Sequence, residues 1–219
     1  MQSYMAPQWF YGYDVGFELL FAVITIIVAI FAYRIYKATN QNYAKYLSIA
    51  FFLIGLSNIF QSIINFLILT KLNENICGFV KIQSVAYFNT IGAYIHMILF
   101  LIGLVYLVFM TFKSENKTIL TLLVLVSLLS MFLSSNILYT FYLLSSIYLI
   151  IISLYFIRNY LKNKKTQTLL IAVAFLFLLF GSIHFLFSVN HQLFYAIGHL
   201  LEFIAYVLIF TNLIMVRKK

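Results

Sequence analysis

Charge is the scarcest thing in this chain. Only 9% of its 219 residues are Asp, Glu, Lys or Arg, against about 25% in soluble globular domains, whose surfaces must face water. A further 64% are hydrophobic, and the mean hydropathy is +1.04. Most of the surface must therefore face lipid. Cys77 is the only cysteine, which excludes an intramolecular disulfide, and Pro7 is the only proline. A proline-free apolar region argues against the interrupted helices from which many transporters build their sites. The eight glycines form no phosphate-cradling loop. Paired catalytic carboxylates and Ser/His/Asp sets cannot be assembled from loops this short, so nothing in them identifies an enzyme.

What is present is a series of long apolar runs. A spanning helix needs about 20 apolar residues, because the hydrocarbon layer is about 30 Å thick and each residue rises about 1.5 Å. Seven segments read as such helices: 15–36, 46–69, 84–112, 119–134, 137–160, 168–189 and 193–216. The fourth is short, and only Ser135 and Asn136 separate it from the fifth, as in a helical hairpin with a tight turn. The fold class is thus all-α: a single integral membrane bundle of seven transmembrane helices filling residues 1–219. The first 13 residues hold no Lys or Arg, and the apolar run after them is too long for a signal-peptide core, so the first helix is expected to remain.

Basic residues orient the bundle, because Lys and Arg stay on the cytoplasmic side. Twelve of the 14 fall in the first, third and fifth loops and the C-terminal tail, leaving Lys71 and Lys81 in the second loop. This split predicts an external N-terminus, a cytoplasmic C-terminus and a multi-pass protein of the cell membrane. It also explains the net charge of +9 without nucleic acid, since the basic residues occupy separate short loops. Trp9, Phe10, Tyr11 and Tyr13 precede the first helix, where an aromatic belt would sit at the outer interface.

Ionisable groups in hydrocarbon cost several kcal/mol unless paired or hydrated, so each marks a candidate site. There are five: Glu18, His96, His184, His199 and Glu202. Counting from the outer helix ends at about 1.5 Å per residue, all lie in the outer half, with His96 near the midplane. Gln61, Asn65 and Asn89 share that bias, and the inner half offers mainly hydroxyls. The expectation is a polar pocket open to the outside and closed below. On the seventh helix Tyr195, His199, Glu202 and Tyr206 recur at intervals of four, three and four, which puts them on one face. In a closed seven-helix ring the first and last helices are neighbours, so Glu18 is expected to pair with His199. A histidine paired in this way takes its protonation from its partner and responds to external pH. The alternative is a set of structural interhelical hydrogen bonds.

Gly92, Gly181 and Gly198 lie close in sequence to His96, His184 and His199, which would leave space beside a haem axial ligand. A transition metal held by His184, His199 and Glu18 is a second cofactor reading, although no closed ligand spacing is present. The pairs Val15-Gly16, Ile91-Gly92 and Ile197-Gly198 also read as points of close helix packing. The seventh helix has no internal Lys, which excludes a retinal Schiff base.

Three stretches carry a family resemblance: 16–32 with its early Glu18, 46–63 (YLSIAFFLIGLSNIFQSI) and 198–210 (GHLLEFIAYVLIF). Together they make up about a quarter of the chain and resemble the seven-helix membrane-associated sensor domains, especially the third such family. That resemblance implies a sensor passing a signal to a cytoplasmic output. The sequence departs from the plan by ending at Lys219, three residues past the last span. A sensor of this form is expected to signal through a separate cytoplasmic partner. The leading expectation is therefore a sensor or receptor-like module binding a small ligand, proton, metal or haem. A small transporter or channel is second, and intramembrane acid/base catalysis by His and Glu is third.

Overall fold

The computed structural model describes residues 7–10, 12–72, 82–114, 116–188 and 191–217. Tyr11, Cys77, Lys81, Val189, Lys218 and Lys219 lie outside the described residues, as do the side chains of Lys71 and Asn89. A 3-10 turn at Gln8–Phe10 leads into α1 (Tyr13–Thr39), α2 (Asn42–Leu72), α3 (Ile82–Thr111), α4 (Lys117–Phe132), α5 (Ile137–Asn163), α6 (Thr166–Ser188) and α7 (Leu193–Arg217). Six of these helices are long and apolar enough to cross a membrane. The exception is α4, whose 16 residues rise about 24 Å, short of a hydrocarbon layer of about 30 Å. The chain's few loop residues stop and start the helices: Asn40 and Lys164 take the left-handed conformation that closes α1 and α5. Asn136 caps α5 by accepting from the Tyr139 N–H at 3.2 Å, which gives the expected tight turn after α4.

Sequence-adjacent helices pack in the order α1, α2, α3, and then α3 meets α5 directly. The circuit continues through α6 and α7 and closes on α1. The ring therefore has six members where seven were expected, and α4 lies outside it against α3 and α5. Only Ser127 and Met131 of α4 are buried, and a Ser127–Tyr148 hydroxyl contact ties it to α5. Small residues let the ring helices approach closely. A Cβ at Gly92 would lie 2.6 Å from Ile64, and one at Gly198 would lie 2.8 Å from Phe185, whereas Gly16 faces open space. Two of the three expected packing points are thus real contacts.

Polarity is inverted relative to a soluble protein. Asp14, Glu18, Asn58, Asn65 and His199 are buried, while Ile63, Val126, Leu129, Phe187 and Leu200 are exposed. In water that exterior would be costly, and in a bilayer it is what lipid tails require. The N-terminal aromatic group divides between the two environments. Trp9 and Tyr13 are exposed, as an interfacial belt needs, but Phe10 is 3% exposed and packs inside against Phe17, Tyr195 and His199. Phe10 belongs to the core and not to the belt.

Candidate functional site

The inward faces of all six ring helices enclose one cavity, and α4 contributes nothing to it. About 70 Å³ is open to the centres of water-sized spheres, several times the roughly 10–15 Å³ that one water needs on this measure. Glu18 from α1, His96 from α3, and His199 and Glu202 from α7 all line it. The α7 stripe is as the helical spacing required: Tyr195, His199, Glu202 and Tyr206 all face the cavity.

The one pairing that sequence position suggested, Glu18 with His199, is replaced by separate environments for the two residues. Glu18 is held by α2, where the Asn65 amide donates to Oε1 at 2.7 Å. The other carboxylate oxygen, Oε2, has no partner among the described residues. The expected Glu18–His199 pair does not form, because the nearest carboxylate to His199 is on its own helix: Nδ1 lies 3.9 Å from Glu202 Oε2. That distance is beyond a hydrogen bond. Both ring nitrogens of His199 are buried without a hydrogen-bond partner among the described residues, and the ring is packed among Tyr195 (4.6 Å), Phe185 (5.0 Å), Phe10 (5.8 Å) and Phe21 (6.5 Å). His96 is tied to α2 through Nδ1, which lies 2.8 Å from Ser57 Oγ and 3.1 Å from the Ser57 carbonyl. A carbonyl only accepts, so this geometry fits a proton on Nδ1 and leaves Nε2 as the nitrogen not engaged by Ser57.

His184 stands apart from this group. It does not line the cavity, its Nδ1 is satisfied by the Phe180 carbonyl one turn back at 2.7 Å, and its ring rests on Phe194. The set His184, His199 and Glu18 is therefore not a metal centre. Among the described residues no three His, Cys, Asp or Glu side chains gather closely enough to hold an ion. The space for a haem expected beside the glycines is filled: Ile64 takes it at Gly92, Glu202 Cγ at Gly181 and Phe185 at Gly198.

Several cavity residues escaped the sequence reading. Asn58 and Ser145 line the cavity; Asn58 meets the Tyr206 hydroxyl, whereas Ser145 Oγ, like Glu18 Oε2 and His199, has no hydrogen-bond partner among the described residues. Asp14, one turn before Glu18, is fully buried and accepts from the backbone of Gly12 and Val15. On α2, residues Ser57, Asn58, Gln61, Ser62 and Asn65 recur at helical spacing, and that polar row was the available signal.

A second cavity occupies the end of the bundle where α1 stops and α2 begins. Val28 and Ile35 of α1, Leu47 of α2, and Ile209 and Val216 of α7 are on its wall, which is almost wholly apolar, Tyr43 and Asn212 being its polar members. Beyond that end lie Arg34, Lys37, Lys45, Arg158 and Lys162, so it is the basic end of the molecule. Phe51 and Phe175 line both cavities and form the wall between them. Comparison of the chain with protein-family models, curated proteins and solved structures gave no match.

Proposed function

We propose that this chain is a receptor-like membrane module that binds a small polar ligand inside the bundle, among Glu18, His96, His199 and Glu202. In this reading it crosses the cell membrane seven times, with the N-terminus outside and the basic end in the cytoplasm. One observation carries it. Glu18 Oε2, both nitrogens of His199 and Ser145 Oγ come from three helices, line a single cavity, and find no partner among the described residues. A buried polar group without a partner costs about 1–3 kcal/mol, so four such atoms around one space are best explained by something that binds them. The resemblance to seven-helix sensor domains points the same way, with a cytoplasmic output reading the occupied state. For the seventh crossing, α4 makes up its short length with the polar turns at either end, a mismatch that bilayers accommodate by thinning.

The test is thermal unfolding of the purified chain in lipid nanodiscs against amines, carboxylic acids, sugars and amides. One class should raise Tm by about 5 °C or more at a hundredfold excess over its Kd. Ser145→Leu, which fills the cavity, should remove that rise. No shift with any class would leave the binding reading without support.

A second reading, a small transporter, draws on Phe51 and Phe175, which separate the two cavities by a single layer of rings. Uptake of the stabilising compound into proteoliposomes, lost when Phe51→Trp thickens that layer, would favour transport over reception.

A further inference from the structure

The chemistry of the polar cavity is one-sided. Two carboxyl groups, Glu18 and Glu202, stand on its wall, Asp14 is buried one turn from Glu18, and among the described residues no Lys or Arg lines it. The described arginines and lysines sit at helix ends or in turns. An anionic ligand would therefore meet acidic groups with no basic partner. A cation meets the reverse. Much of the remaining wall is aromatic, including Phe21, Phe141, Tyr142, Phe185, Tyr195 and Tyr206. Aromatic faces attract ammonium groups, and the attraction grows in a desolvated site.

The unpartnered atoms add a second requirement. Glu18 Oε2 suits the positive charge of an ammonium group, and a neutral His199 offers one accepting nitrogen that suits an O–H or N–H donor. Ser145 Oγ is an unpartnered hydroxyl that can donate, and the Asn58 amide on the same cavity wall is a second donor, so an acceptor oxygen on the same ligand suits both. These donors are uncharged. They match a hydroxyl or ether oxygen, whereas a ligand carboxylate would lack a cation to pair with. Glu18 is 3% and His199 5% exposed, so these groups belong to the interior and not to a solvated rim.

Building on the receptor reading above, we infer that the cavity takes a small organic ammonium ion bearing an oxygen acceptor, an amino alcohol of the size of choline or ethanolamine. The carboxyl groups of Glu18 and Glu202 balance its charge, the aromatic rings enclose its cationic end, and Asn58 with Ser145 holds its oxygen.

The experiment uses the full chain in nanodiscs with four probes: choline, ethanolamine, the neutral choline isostere 3,3-dimethylbutan-1-ol, and acetate. Choline or ethanolamine should raise Tm by about 5 °C or more at a hundredfold excess over Kd, and the isostere and acetate should leave it unchanged. Glu18→Gln and Glu202→Gln, which keep shape and remove charge, should each weaken binding by about tenfold or more, the scale of one charge-assisted contact. Should either variant fail to fold, the contrast between choline and its isostere on the unaltered chain still decides. Equal or tighter binding of the isostere or of acetate overturns the cation inference and leaves the receptor reading standing. If none of the four probes binds while a sugar, an amide or another acid does, the inference again fails alone. Absence of binding by every class removes both.

Discussion

The two ends of this bundle solve the same packing problem with different chemistry. At the basic end, helices are joined by hydroxyl groups, such as Ser48 Oγ donating to the Ala29 carbonyl at 2.9 Å, and the cavity there is lined almost wholly by apolar side chains. Toward the other end, the interior holds Asp14, Glu18, Asn65, His199 and Glu202. Both lie within the same ring of helices. The basic half shows that this fold can pack without ionisable groups. Packing alone therefore does not account for those in the other half, and although Asn212 Oδ1 at the basic end also lacks a partner among the described residues, the unpartnered atoms around the polar cavity include ionisable groups, on which the binding proposal rests.

That contrast can be broken in several ways, the largest of which is all or none. In a Cys77→Ser background, a cysteine placed at Leu133, 84% exposed in the turn after α4, should react with a membrane-impermeant maleimide added to intact cells. One placed at Lys164 should react only after lysis. Reaction of Leu133→Cys only after lysis would remove α4 as a crossing and reassign which end faces outward. Next in size is the wall between the cavities: Phe175→Ala should cost about 3–5 kcal/mol in denaturation experiments, as for other buried phenylalanines. A near-neutral result would mean that the two cavities are not held apart by packed rings. Smaller is Asn65→Leu, which strips the one side-chain hydrogen bond that Glu18 accepts among the described residues and should cost about 1.5–3 kcal/mol. Adding Glu18→Gln to Asn65→Leu should recover part of that loss, since the uncharged amide is cheaper to bury. The smallest effect belongs to the basic half, where Ser48→Ala should cost about 0.6 kcal/mol, the average for interhelical hydrogen bonds within a membrane bundle. If Ser48→Ala proved as costly as Asn65→Leu, the two halves would not differ in the way described.

Much of the fold was legible because bilayer thickness forces a simple pattern. Six apolar runs became six long helices with ends within a few residues of expectation, and the α7 row from Tyr195 to Tyr206 faces inward as its spacing required. The place of α4 was not legible, since its composition matches that of the ring helices and only its length hinted at a different role. His184 shows the limit of depth as a guide. It lies at the same level as the site, but the inward row of α6 runs through Leu178, Gly181, Ser182 and Phe185. At 3.6 residues per turn His184 is rotated roughly a third of a turn from that row. Partner choice was likewise hidden. Glu18 found Asn65 on α2 instead of His199 on α7 because helix rotation, which no single run of sequence reveals, decides which neighbour a side chain meets. Phe10 was misjudged for a related reason: interfacial aromatics and core aromatics are the same residues, and a 3-10 turn at Gln8–Phe10 was enough to carry this one inside.

The most direct test of a binding role over a structural one is the thermal stability of His199→Phe in ligand-free nanodiscs. Phenylalanine keeps a ring among Phe10, Phe21, Phe185 and Tyr195 and removes two nitrogens that hold no hydrogen-bond partner among the described residues. Replacing an unsatisfied polar group by an apolar one of similar shape is neutral or stabilising. Tm should therefore stay level or rise by a few degrees while ligand binding is lost. A fall in Tm as large as that of Asn65→Leu would show that His199 is part of the scaffold and would contradict the account.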